Sequence, residues 1–157
     1  MPQRVHPATL CYNRPMRFLG IDYGHKRLGL AVSDPSAALA FPYEVVQVND
    51  TTPQRIADIC KKELINGIVV GESKNFKGED NMVMKEARLF AELIKSLTGL
   101  PVSFEPEIMS TIQAERLQGR ADKQKHTIDA SAAAVILQSF LDRHMLGNGA
   151  DMSIDED

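Results

Sequence analysis

The fold is decided by the stretch GIDYGHKRLGLAVSD, which occupies residues 20–34. One apolar run leads from Arg17 to Asp22, and a second apolar run extends from Leu28 to Asp34. Each run has the length and composition of a β-strand, and the short polar segment between them contains a glycine that suits a turn. The sequence therefore predicts a hairpin of two antiparallel strands, with Asp22 where the first strand ends.

The segments that follow predict a mixed sheet. A third strand is predicted over 43–48, before any helix, so the first three strands should form an antiparallel meander. Two amphipathic helices then alternate with strands at 68–70 and 101–107, and two more helices follow, a short one over 110–117 and a long final one. The chain is thus predicted to be an α/β domain with a mixed five-stranded sheet and helices on both faces.

Three helix boundaries are predicted from capping signals. Thr52, followed by proline, is expected to cap the first helix, and Gly67 to close that segment. Thr127 is expected to cap the last helix, which should run to about Met145. Residues 118–126 are then left as a polar, basic loop.

Length and composition predict one cytoplasmic domain. The 157 residues, 43% of them apolar, suffice for a single core, expected over 16–146 between a flexible N-terminal extension (1–15) and an acidic disordered tail (147–157). No apolar run is long enough for a membrane span or a secretory signal. Cys11 and Cys60 have no metal-ligand spacing, so Cys60 is interpreted as a core residue in a reducing compartment.

The net charge of −3 is concentrated in the tail, which holds four of the 21 acidic residues. Without the tail, 18 basic residues face 17 acidic ones, a net charge of +1. A near-neutral body argues against strong nonspecific nucleic-acid binding, which depends on many phosphate contacts, but it permits a local basic rim.

Three carboxylates lie where chemistry is possible. Asp22 and Glu107 end predicted strands, and Asp129 lies in the first turn predicted for the last helix. Each also has an ordinary interpretation: a turn aspartate, a solvated edge charge and a residue favoured by the helix dipole. Together they could meet at one edge of a mixed sheet, where hard oxygen ligands suit Mg²⁺ or Mn²⁺. Paired divalent ions of this kind hydrolyse phosphodiesters.

The sequence resembles a known protein family. Residues 20–34 are similar to the opening motif of the YqgF family, whose members are relatives of RuvC-type Holliday junction resolvases. The YqgF family is also described as pre-16S rRNA nucleases. The similarity covers about residues 16–143 and continues at 68–71, 75–78, Glu107 with Ser110, Thr111 and Ala114, Lys125, and 128–133. It implies an RNase H-like fold in which Asp22, Glu107 and Asp129 match the acidic triad. It also implies Mg²⁺ or Mn²⁺ as cofactor and nucleic acid as partner.

The resemblance favours 16S rRNA precursor processing over cutting of branched DNA, with ribosomal particles as a candidate partner and a monomer or homodimer as the active form. Five cationic residues are then candidate phosphate ligands: Lys26, Arg27, Arg120, Lys123 and Lys125. The alternative is that they belong to a solvated polar surface. His25 and His126 are interpreted as surface residues.

Two departures from the family pattern bear on activity. The family usually has Gly-Leu-Pro where this chain has 71–73, Gly-Glu-Ser, and Asp-Glu-Arg where it has 106–108, Pro-Glu-Ile. Isoleucine cannot make the bidentate phosphate contact of an arginine. Glu72 or Glu105 is a candidate for an extra metal ligand that would compensate for these departures.

Three rival functions follow from the same residues. One is a Holliday junction resolvase, and another is a non-catalytic RNA- or protein-binding member of the same fold, for which Pro106 and Ile108 are the argument. The third is a phosphate-binding fragment of the sugar kinase and actin type, which opens with a similar hairpin. That class needs two lobes and a second phosphate loop, and 157 residues are expected to be too few for both.

Overall fold

Five strands and three helices are formed by the residues that the computed structural model describes, 15–72, 81–106 and 122–146; the side chains of 122–129, 145 and 146 lie outside this description. The strands are β1 (Phe18–Tyr23), β2 (Arg27–Ser33), β3 (Ala40–Gln47), β4 (Gly67–Glu72) and β5 (Val102–Pro106). The helices are α1 (Thr52–Lys62), α2 (Met82–Thr98) and α3 (Asp122–Leu141), and a π-helical turn (Asp142–Leu146) follows α3.

The strands form one mixed sheet in the order β3-β2-β1-β4-β5. The pairs β1–β2 and β2–β3 are antiparallel, whereas β1–β4 and β4–β5 are parallel. The predicted meander and the predicted five-stranded mixed sheet are therefore confirmed. β1 lies at the centre of the sheet, so its residues are covered from both faces.

Alternation along β1 separates two layers of core. Leu19 and Ile21 join the cluster under α1 and α2, which includes Ile56 and Ile94. Phe18 joins the cluster under α3 instead, where its ring lies 5.4 Å from the ring of Phe140. Helices cover both faces of the sheet, as predicted. No helix in the described part of the chain is long and apolar enough to cross a bilayer.

The predicted limits of the first helix are wrong at both ends. Thr52 is the first helical residue, and its hydroxyl donates to the carbonyl of Gln47 at 2.7 Å rather than capping the helix. The helix ends at Lys62 because Leu64 takes a left-handed conformation, with φ 55°. Gly67, expected to close the segment, is the first residue of β4.

The predicted start of the last helix is also wrong. α3 begins at Asp122, so Thr127 lies inside the helix and is not its cap, and part of the expected basic loop is helical. Residues 122–126 contain no glycine or proline, and an acidic residue at the first position suits the helix dipole. Tertiary packing of the apolar residues that follow extends the helix through this polar segment.

Several expectations lie outside the described residues: the N-terminal extension except Pro15, the family similarity over 75–78, the short helix over 110–117 and the acidic tail. The interpretation of Cys60 as a core residue is confirmed, since it is buried and packs in the cluster under α1 and α2. Burial raises the pKa of the Cys60 thiol to about 11, so this side chain stays protonated at neutral pH.

Asp34 organises the turn that joins β2 to β3. Its Oδ1 accepts hydrogen bonds from the amides of Ala38, at 2.8 Å, and Leu39, at 3.0 Å, and its Oδ2 accepts one from the hydroxyl of Ser36. Partial burial raises the pKa of Asp34, but the hydrogen bonds from Leu39, Ser36 and Ala38 outweigh it and hold the pKa below its usual range.

We expect Asp34→Ala to lower the free energy of unfolding by about 1–2 kcal/mol at pH 7, because charge-assisted hydrogen bonds to a partly exposed turn are lost. Since the pKa is depressed in the folded state, this contribution is complete above the unfolded pKa and disappears as the pH falls through the folded value. Urea unfolding of both proteins at pH 7 and pH 3 measures it. Asp58→Ala, on the exposed side of α1, is the control. An equal difference at both pH values would contradict the role of the charge.

Candidate active site at the end of β1

Asp22 is the penultimate residue of β1 and is half-buried. Its neighbour across the antiparallel pair is Gly29 of β2. Since side chains alternate along a strand, Asp22 belongs to the same face as Phe18 and Gly20, the face that α3 covers. A carboxylate therefore lies beside the helix that carries Asp129.

Close packing of α3 on β1 depends on Gly20. A Cβ atom at this position would lie 2.8 Å from Cβ of Leu137 and 3.0 Å from the carbonyl oxygen of Ala133. The helix backbone thus occupies the space that the missing side chain leaves. A Cβ at Gly24 would likewise lie 2.6 Å from the carbonyl oxygen of Arg27 in the hairpin turn. These glycines serve helix packing and turn formation.

The same contacts fix the direction of α3. Phe140 packs on Phe18, whereas Ala133 and Leu137 lie over Gly20, so the helix runs antiparallel to β1. One helical turn advances about 5.4 Å and two strand residues advance about 6.6 Å. The turn of α3 before Ala133, which contains Asp129, therefore lies toward the end of β1 where Asp22 is located. The side chain of Asp129 is outside the described part, so its role as a ligand remains a prediction.

Glu107 and Arg120 lie outside the described residues, and Glu107 comes directly after the end of β5. Through the register of the sheet, β5 ends at the same edge as β1: Ile21 pairs with Val70, and the next residue of β4, Gly71, pairs with Glu105. β5 thus ends on the same side of the sheet as Asp22, two strands away from it.

Neither proposed compensating ligand is placed as one. Glu72 lies on the opposite face from Asp22, by alternation with the core residue Val70, and its carboxylate is 3.5 Å from Arg88. Arg88 also lies over the ring of Phe104, 4.8 Å from the ring centre. Glu105 is buried and forms an ion pair with Arg143 in the π-helical turn that follows α3. Among the described residues, no group of three His, Cys, Asp or Glu side chains is placed to hold a metal ion.

The candidate phosphate ligands divide between two elements. Lys26 is exposed in the hairpin turn directly after β1, and Arg27 is half-buried at the start of β2. Lys123 and Lys125 lie on the first turns of α3, a placement that the sequence did not predict. His25 is exposed, with Nδ1 3.1 Å from Oε2 of Glu86, which confirms its interpretation as a surface residue.

Comparison with known proteins gives a family match over most of the chain. A family model described as RuvX, Holliday junction resolvase, matches residues 16–143. A protein of Leuconostoc citreum is 37% identical over 136 residues, covering 81% of this chain and 95% of that protein. A protein of Streptococcus mutans is also 37% identical, over 82% of this chain and 99% of its own length. Both are named "Putative pre-16S rRNA nuclease".

Two solved structures share the fold. Thermus thermophilus RuvC, in complex with Holliday junction substrate, superposes with a TM-score of 0.53 at 18% identity, over 83% of this chain and 96% of RuvC. The Fowlpox virus resolvase, in complex with Holliday junction DNA, gives a TM-score of 0.52 at 11% identity, over 83% of this chain and 99% of the resolvase. These likenesses confirm the predicted RNase H-like fold.

Proposed function

Because this chain belongs to the RuvX Holliday junction resolvase family, we propose that it is a metal-dependent endonuclease that hydrolyses nucleic-acid phosphodiesters. We further propose the 5′ end of the 16S rRNA precursor as its substrate, following the name of relatives that are 37% identical to it. The observation that carries the proposal is the packing of α3 on Gly20, which brings the turn containing Asp129 toward the Asp22 end of β1.

In this proposal Asp22, Glu107 and Asp129 hold Mg²⁺ or Mn²⁺. The donor set fits these ions because it consists of hard carboxylate oxygens, and because Asp22 is half-buried at a strand end next to the covering helix. A bound ion of this kind supplies an activated water and stabilises the leaving oxygen of the phosphodiester. The protein contributes by holding Asp22 on β1 and the backbone that carries Asp129 on α3, and partial enclosure strengthens the attraction between a carboxylate and a cation.

The proposed substrate contacts come from cations on both sides of these carboxylates. Lys26 and Arg27 follow Asp22 in the hairpin, and Lys123 and Lys125 precede Asp129 on α3, with Arg120 just ahead of the helix. Phosphates bound between the two groups would lie across the end of β1. Phosphate contacts of this kind orient a strand without reading its sequence. The same arrangement would accept RNA within a ribosomal particle.

A second candidate is cleavage of branched DNA, which the description of the matching family model favours. Both functions use the same carboxylates and differ in the nucleic acid that the basic rim accepts. Substrate choice therefore has to be measured directly.

The experiment compares wild type with Asp129→Asn on three substrates: a 16S rRNA precursor fragment, a four-way DNA junction and a linear duplex. Each is incubated with Mg²⁺, with Mn²⁺ and with a chelator. The proposal expects metal-dependent cutting of the RNA at the 5′ end, absent from the variant. Cutting of the junction alone would favour the second candidate. RNA binding without cutting of any substrate would overturn both and indicate a non-catalytic module.

A further inference from the structure

Glu105 is the one charged side chain that is buried among residues 15–72, 81–106 and the described side chains of α3, at 1% exposure. Its Oε1 accepts a hydrogen bond from Nη1 of Arg143 at 2.8 Å and one from the hydroxyl of Ser139 at 3.1 Å. Ser139 belongs to α3, and Arg143 to the π-helical turn that follows it. The edge strand β5 is thereby tied to the C-terminal part of α3.

The opposite edge of the sheet is tied to the same helix by the preceding residue. Oε1 of Gln138 accepts a hydrogen bond from the amide of Ala40 in β3 at 2.9 Å, and its Nε2 donates to the carbonyl of Ala38 at 2.9 Å. Consecutive helical residues point about 100° apart. Gln138 and Ser139 therefore hold α3 from two sides, which resists rotation of the helix about its own axis.

α3 packs on the sheet through small and large apolar side chains. Ala133 lies over Gly20 of β1, and Ile136, Leu137 and Leu141 fill the same cluster. Apolar packing of this kind holds α3 against the sheet but is not directional. The polar contacts at the two edges add fixed directions to it.

A buried carboxylate is a poor way to gain stability alone. Its desolvation offsets most of the attraction to Arg143, which is itself 55% exposed, and apolar residues of similar volume would hold the fold as well. What the ion pair adds is geometry, because a charge-assisted hydrogen bond of 2.8 Å fixes distance and direction together.

We infer that Glu105 is a positioning residue, which through Ser139 and Arg143 sets the orientation of α3 and with it the distance between Asp129 and Asp22. This inference rests on the proposed function, in which those two carboxylates share a metal ion. Residues that orient metal ligands without touching the metal typically change affinity or activity by about 10–100-fold when replaced.

The test measures Mn²⁺ affinity by titration calorimetry, together with melting temperature and cleavage rate. Arg143→Met leaves a buried carboxylate with one hydroxyl partner, so we expect a lower melting temperature and Mn²⁺ binding weaker by about tenfold. Arg143→Lys, which retains a charged donor, should restore most of both. Arg55→Met, which breaks the exposed ion pair of Arg55 with Glu44, is the matched control and should leave Mn²⁺ affinity unchanged.

The double variant Glu105→Gln with Arg143→Met separates positioning from stability. It removes the buried charge, so the melting temperature should recover, whereas the charged contact between β5 and the turn after α3 is still absent and Mn²⁺ affinity should remain about tenfold weak. Recovery of both together would overturn the inference and leave the pair as a structural contact only. All of these measurements are made well below the lowest melting temperature.

Failure of the proposed function gives a different result. If wild type binds Mn²⁺ but cuts none of the substrates, the nuclease proposal fails, while the Mn²⁺ affinities of the variants still decide the role of Glu105. If wild type binds no Mn²⁺, the shared metal ion is wrong and the positioning role falls with it.

Discussion

Replacing Asp22 with asparagine is expected to lower the rate of Mn²⁺- or Mg²⁺-dependent cleavage at least about a hundredfold, because the substitution removes one metal-ligand charge at nearly constant size. Metal ions contribute several kcal/mol of transition-state stabilisation, and each 1.4 kcal/mol lost is about a factor of ten in rate. Asp22 is half-buried near the helix-covered face, so its neutral replacement also relieves desolvation, and the melting temperature should hardly change.

The matched control is Asp58→Asn, which makes the same chemical change on the exposed side of α1, away from the α3 face. It should keep full activity. Single-turnover cleavage of the RNA fragment over a range of Mn²⁺ concentrations distinguishes a lost ligand from a lost contact with RNA. Full metal-dependent activity in Asp22→Asn would refute the assignment of Asp22. Loss of activity together with a large fall in melting temperature would instead indicate a structural role.

Substitution of Gly20 should have the largest effect on stability. The atoms that a new Cβ would meet, Cβ of Leu137 and the carbonyl oxygen of Ala133, cannot move away by a change of rotamer. The helix itself has to shift, and overpacking of this kind costs about 1–3 kcal/mol. For Gly20→Ala we expect a fall in melting temperature of roughly 5–10 °C. Gly20→Val should fall further and lose much of its folded population.

Activity of Gly20→Ala should fall more than its stability explains. A shift of α3 by a few tenths of an ångström moves Asp129 relative to Asp22, and a misplacement of about 1 Å can cost a hundredfold in rate. The comparison variant is Gly67→Ala, whose Cβ would lie 2.8 Å from the ring of Phe18. Gly67 pairs with Phe18 at the start of β1, at the opposite end of that strand from Asp22. Both are assayed where circular dichroism shows them folded. Equal residual activities would mean that the close contact of α3 with Gly20 has no special bearing on the site.

The local parts of the fold could be predicted from the sequence. The hairpin over 20–34 follows from two apolar runs and a glycine-containing turn, and both are short-range signals. The order of strands and helices then limits the sheet to a few arrangements. The cap expected at Thr52 failed because the hydroxyl has a better partner in the strand before it, the carbonyl of Gln47. Thr127 failed as a helix start because packing further along extends the helix.

The candidate site could be predicted only in part from the sequence. Asp22 could be singled out because a carboxylate at the end of an apolar strand is unusual, and Asp129 because it precedes an apolar helical stripe. The contact of Gly20 with Ala133 and Leu137 leaves no signal in either segment alone. The pairing of Glu105 with Arg143 spans 38 positions, and its one trace in the sequence is an acidic residue between Phe104 and Pro106.

The helix over Gly20 also bears on the order in which we expect the molecule to fold. The hydrogen bond from Ala40 to Gln138 bridges 98 positions of the chain, whereas the β1–β2–β3 meander closes over short turns. Long-range contacts carry the larger loop-closure entropy, so we expect the meander to form early and α3 to dock late. Asp22 is then in place on its strand before the helix that carries Asp129 packs over it. A partly folded or nascent chain therefore has no complete carboxylate site, and in the proposed function it cannot cut RNA before its fold is finished.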